Sequence, residues 1–237
     1  MQNLTIKFFP RHSETSDINE VFRLLNTVEK HTLQFVPWAA YPYKPSVIFS
    51  MAYNPSAFLL KFFVHKNQIR VLNYITNSAI WEDSCVEFSI SFDDGANYYN
   101  IEFNCIGTGL IGYGKSKRHR ALLDTGIVNK VKTLSNIHAE KGKKVSWELT
   151  MIIPLSVFTH TPLSNLANTK CRANFYKCGD LLPMPHFVSW SNIKSPTPDF
   201  HLPDYFGSLQ FESASDNNRI FLSNFSCSKL QHGRWLI

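Results

Sequence analysis

Residues 85–104 constrain the fold more than any other stretch. Val86, Phe88, Ile90 and Phe92 alternate with Cys85, Glu87, Ser89 and Ser91, the two-residue period of a strand with one apolar face. Asp93-Asp94-Gly95-Ala96-Asn97 supplies turn residues, and Tyr98–Asn104 returns as the partner strand. A hairpin of this kind needs a second apolar layer to cover its Val/Phe/Ile stripe.

The rest of the chain offers that layer. Ser46–Tyr53 and Ala57–Val64 are short apolar runs separated by Asn54-Pro55-Ser56, and Phe58–Val64 is apolar enough for a strand covered on both faces. Trp147–Ile153 reads as a strand ended by Pro154, with a single helical turn over Pro154–Phe158. Asn174–Lys177, Phe187–Trp190 and Leu209–Phe211 supply the remaining strands. An aromatic fraction of 14%, with 19 Phe, suits such half-buried pleated surfaces. With no βαβ rhythm, phosphate-binding glycine loop or tandem repeat, the expected fold is all-β: an antiparallel β-sandwich with one short N-terminal helix.

That helix spans residues 16–30. Asp17 can cap it, Glu20 stands at the capping-box position, and Ile18, Val21, Phe22, Leu25 and Val28 share one face. It is expected to pack at the edge or end of a sheet. The chain divides into an N-terminal segment (1–30), a sandwich domain (31–212) and a C-terminal appendage (213–237) opened by the linker-like Ser213-Ala214-Ser215-Asp216-Asn217-Asn218.

Other function classes lose support at this level. No apolar run reaches membrane-spanning length, and the first residues lack a basic segment followed by an apolar one, which slightly favours a cytoplasmic location. The five Cys lack CxxC spacing and read as reduced thiols rather than zinc ligands. The net charge of +6 concentrates in Lys115–Arg120 and Lys141–Lys144, which read as solvated loops between strands without any nucleic-acid motif. There is no Gly-x-Ser-x-Gly elbow and no metalloprotease His motif.

Two chemistries remain. Trp81 at the head of the Cys85 strand, with Asp83 and Glu87 on one face by parity, mixes a flat ring with hydrogen-bonding acids. A sugar site needs both, because its hydroxyls must be paired once buried. A lone Trp at a strand start also suits core packing. A pair drawn from Asp83, Glu87 and Glu102 could instead serve glycoside hydrolysis.

Trp81-Glu82-Asp83-Ser84-Cys85-Val86-Glu87-Phe88 resembles the signature strand of family-9 carbohydrate-binding modules and their DOMON-like relatives. Ser189-Trp190-Ser191 and Phe206-Gly207-Ser208-Leu209 resemble that family's closing motif, so the similarity covers roughly residues 30–212. Tyr98–Asn104, Arg172–Asp180 and Pro198–Pro203 are similar to a standalone bacterial subgroup. The resemblance implies non-catalytic carbohydrate binding, in bacterial carbohydrate catabolism and in the company of glycoside hydrolases. It implies that Trp81 and Phe200 enclose a terminal sugar and that Glu87 contacts it. Asn100, where the family has an Arg, is expected to hydrogen-bond the sugar, and Tyr176, where it has a Gln, to line the floor of the site; Trp190 is expected in the core. Some relatives carry structural calcium, for which Asp93 and Asp94 are candidates, though a simple turn also explains them. Others hold haem or mediate protein contacts, but no Met/His ligand pair stands out here.

Overall fold

The computed structural model describes residues 2–10, 16–139 and 145–213. Its elements in chain order are β1 (Asn3–Phe8), α1 (Ile18–Thr27), β2 (His31–Thr32), β3 (Ser46–Tyr53), β4 (Ala57–Asn67), β5 (Cys85–Ser91), β6 (Tyr98–Asn104) and β7 (Gly109–Gly114). There follow β8 (Arg120–Leu122), α2 (Thr125–Val128), β9 (Lys132–His138), β10 (Val145–Pro154), β11 (Lys170–Cys178), β12 (Phe187–Ser189) and β13 (Gly207–Phe211). The expected helical turn after β10 is a short 3-10 turn, Leu155–Val157.

The strands run in the order β8-β7-β6-β5-β11-β13-β1-β3-β4-β10-β9, with β12 beside β11 and β2 beside β3. β1 makes this path continuous. Asn3–Ile6 pair with β13 and Lys7–Phe8 pair with β3, so one strand serves two layers. Both of its pairings are parallel. The sandwich is therefore mixed rather than purely antiparallel: the other strand pairings among the described residues are antiparallel.

The expected stripes meet between the layers. Val86, Phe88 and Ile90 of β5 and Phe175 of β11 face Phe49, Phe58, Leu60, Phe62, Trp147 and Leu149 of the other layer in one buried cluster. The Phe49 and Phe175 rings stack at 3.9 Å. Trp190 packs edge-on against both, in the core as expected. Gly207 is small for a reason: a Cβ there would come within 2.5 Å of the Trp190 ring.

Helix α1 starts at Asp17, whose carboxylate accepts the Asn19 amide at 3.0 Å. Val21, Leu25 and Val28 pack on Ala52, Ala57, Leu59 and Ile152. It lies across the outer face of β3, β4 and β10 and reaches the edge strand β9, rather than sitting only at an edge or end, because these strands carry apolar side chains outward as well as inward. No helix among the described residues is long and apolar enough to cross a membrane.

Candidate functional site

The outer face of the β5–β6–β11 layer is polar where the opposite layer is apolar. Cys85 and Glu87 (β5), Asn100 and Glu102 (β6), and Tyr176 and Cys178 (β11) are all buried. The cover is a long loop between β12 and β13, held in part by Trp38, whose indole N–H donates to the Ser195 carbonyl at 3.0 Å. Between loop and sheet lies a cleft of about 160 Å³, lined by Trp81, Glu87, Glu102, Lys117, Arg120, Cys178, Asp180, Phe187, Pro198, Asp199, Phe200 and His201.

Three of the five residues expected to bind sugar line this cleft. Trp81 sits in a 3-10 turn just before β5 and is 38% exposed. No aromatic ring among the described residues is paired with its indole, and more than a third of the residue is open to solvent. Phe200 is only 6% exposed. Its ring stacks on Tyr176 at 4.2 Å and abuts Trp38 and Phe187. Trp81 and Phe200 thus share a cleft without touching.

Glu87 is the third. Its Oε2 accepts from the Asn100 amide at 3.0 Å, and its Oε1 accepts from the Cys178 thiol at 3.3 Å. Burial pushes its carboxyl up to about 7, against the pull of those hydrogen bonds and of Arg120.

The other two stand behind the lining. Tyr176 is fully buried and donates its hydroxyl to the Phe200 carbonyl at 3.1 Å, so it fixes Phe200 rather than forming the floor. Asn100 bridges Glu87 and Arg120, using its amide nitrogen for one and its oxygen for the other. Asn100 occupies a place where the family resemblance implied an Arg, and a guanidinium is nonetheless present. Arg120 brings it in from β8. Its Nη1 also lies 3.4 Å from Glu102 Oε1 and 3.4 Å from His201 Nδ1. The Lys115–Arg120 run is accordingly not wholly a solvated loop: Lys117 and Arg120 face the cleft. Residues 141–144 lie outside the described residues.

Glu102, weighed above only as a catalytic acid, is a central lining residue. It lies directly opposite Glu87 across the β5–β6 ladder, and burial and then the Glu87 charge raise its carboxyl well above the carboxylate range. Its Oε2 is buried and has no hydrogen-bond partner among the described residues. Asp180 is similarly pushed up to about 6 by burial. His201 receives Arg120 at Nδ1, so its proton resides on Nε2; burial holds its pKa down to about 3. The Tyr98 hydroxyl lies 3.1 Å from the same nitrogen.

Asp83 does not join this group. Strand parity breaks because Ile80–Glu82 is a 3-10 turn, and Asp83 turns into the loop before it. There it receives the amides of Leu72 and Asn73 and pairs with Arg70, a structural task that leaves no free acceptor for a sugar or a proton transfer. Asp93 accepts from Ser91, the Asn97 amide and the Asn97 side chain, and so fastens the β5–β6 turn. The Asp94 carboxylate is nearly fully exposed, 3.9 Å from Arg172.

The model for carbohydrate-binding family 9 matches residues 19–211. The chain belongs to that family. This family-9 chain is 37% identical to a protein of Bacteroides uniformis proposed to bind carbohydrate, covering 89% of this chain and 99% of that one, with a TM-score of 0.81. A family-9 module of Caldicellulosiruptor kristjanssonii, solved with cellotriose, shares the fold at 13% identity and a TM-score of 0.60, covering 91% of this chain and 96% of that one. The module solved with glucose gives 13% and 0.58, covering 91% and 98%. No curated protein matches the family-9 chain.

Proposed function

We propose that this family-9 chain binds a mono- or oligosaccharide end in the Trp81–Phe200 cleft without cleaving it. The carrying observation is Glu102 Oε2, a buried oxygen that lines the cleft and lacks a partner. A buried polar atom without a hydrogen bond is costly, and a sugar hydroxyl is the kind of group that would satisfy it. Around it stand the other groups a pyranose needs. Trp81 offers a flat face to the ring's C–H bonds, Arg120 offers N–H donors, and neutral Glu102 or Glu87 can donate as well as accept. The relatives solved with glucose and cellotriose, and the Bacteroides protein, support the same reading.

Binding without turnover fits the placement of the acids. Glu87 and Glu102 are cross-strand neighbours on one sheet face, with Cβ atoms about 5 Å apart in such pairs. Both face one ligand from the sheet side, where they serve it as hydrogen-bonding groups. Such a module would act beside glycoside hydrolases in carbohydrate catabolism. The test is calorimetry against glucose, cello-oligosaccharides and a broad glycan panel, with wild type and Trp81→Ala. Binding is expected in the wild type and weakened roughly thirtyfold in the variant. Silence across the panel, or equal binding by both proteins, would overturn the reading.

A further inference from the structure

We propose that Cys85, Cys178 and Glu87 form a site for a thiophilic divalent cation of the Zn2+ type at the floor of the cleft. Antiparallel register sets Cys178 of β11 opposite Cys85 of β5, and Glu87, two residues on, shares their face. The two sulfurs and a carboxylate oxygen all lie within 4.8 Å of one another, and all three residues are buried. Among the described residues this is the only such group of three His, Cys, Asp or Glu.

The donor set suits the ion. Zinc takes thiolates at about 2.3 Å and carboxylate oxygens at about 2.0–2.2 Å, so ligands of one tetrahedral ion stand roughly 3.4–3.8 Å apart. Small side-chain rotations close the observed spacing to that range. Cys178 and Glu87 both line the cleft, which supplies an entry path and a water as fourth donor, the three-plus-one pattern of an open zinc site. Occupation would take the Oε1 that Cys178 now holds and leave the Asn100 bond to Oε2 intact. Two thiolates and a carboxylate around a divalent ion carry one net negative charge. The Arg120 guanidinium acts on Glu87 and offsets that charge. No spacing motif announces the site, because its sulfurs come from strands joined only in space.

The test uses the full reduced chain and no sugar, so it stands or falls apart from the carbohydrate reading. Cd2+ titration, followed by the ultraviolet thiolate-to-cadmium absorption, is expected to saturate at one ion per chain and to be reversed by Zn2+. Cys178→Ser should weaken binding more than ~100-fold, beyond the loss typical of a residue that only supports a ligand. Glu87→Gln, which keeps the side chain's shape and guards against a folding artefact, should weaken it about tenfold or more. Cys105→Ser and Cys171→Ser, at buried thiols outside the group, should leave the absorption unchanged. Absence of the band in reduced wild type, or its full strength in Cys178→Ser, would overturn the proposal.

Discussion

The two outer faces of the sandwich are covered in opposite ways. On the β3–β4–β10 layer a helix lies flat, and the one lysine buried there is fully engaged: the Lys61 ammonium meets Glu148 at 2.8 Å, Asn26 at 2.7 Å and the Phe22 ring at 3.3 Å. On the β5–β6–β11 layer the cover is loop, and beneath it Glu87 and Glu102 share a single guanidinium. The closed face pairs its buried charge from within, although the buried Thr150 hydroxyl, opposite Lys61 in register, has no partner among the described residues. An open one leaves groups whose pairing must come from a ligand, and raised carboxyl pKa values register that shortfall.

The contrast can be broken from either side. Leu25→Ala empties a fully buried position under the helix. It is expected to cost about 2–4 kcal/mol in urea unfolding while leaving the folded protein's sugar affinity unchanged. Trp81→Ala should do the reverse, lowering affinity by about 2 kcal/mol, or roughly thirtyfold, with unfolding shifted by less than ~1 kcal/mol. If both variants lost stability alike, the two faces would not be functionally distinct.

The acids give a subtler test. Glu87 is held at about 7, above the ordinary carboxylate value, so the folded state binds its proton more tightly than the unfolded one. Its contribution is therefore present in acid and lost as pH rises through about 7. His201 and His186, both held near 3, act with opposite sign and cost stability as pH falls below the imidazole range. Comparing wild type with Glu87→Gln cancels the histidines. The variant should gain a few degrees in melting temperature relative to wild type at about pH 8 compared with about pH 5. Equal differences at both pH values would mean that Glu87 is not held neutral by its site. Smallest of all, Arg120→Lys keeps the charge but loses the fork, and should weaken sugar binding by up to about tenfold.

Much of this was legible in the chain, and the gaps have physical causes. The β5–β6 hairpin declares itself through strict alternation and a turn-forming loop. β7 does not: Gly109, Gly112 and Gly114 depress strand propensity, yet at Gly109 a Cβ would sit 2.4 Å from the Phe103 ring. β9, a half-exposed edge strand, lacks a clean apolar face. β1 does alternate, with Leu4, Ile6 and Phe8 inward, but parallel pairing across the whole chain leaves no local turn to announce it. Of the cleft lining, Trp81, Glu87 and Phe200 were named through the family resemblance. Arg120 was hidden inside a basic run that reads as a solvated loop, although it and Lys117 line the cleft, and Asp83 was misplaced because parity does not survive a 3-10 turn.

The split strand β1 has a consequence for how the molecule comes into being. Its first half waits for Ser208–Phe211, which leave the ribosome some two hundred residues later, while its second half holds β3 by only two pairs. The layers cannot lock together during synthesis, and closing so long a loop makes the final step slow. Until then the Phe-rich inner surfaces are open to other chains, the exposure that makes a partly folded chain prone to aggregate.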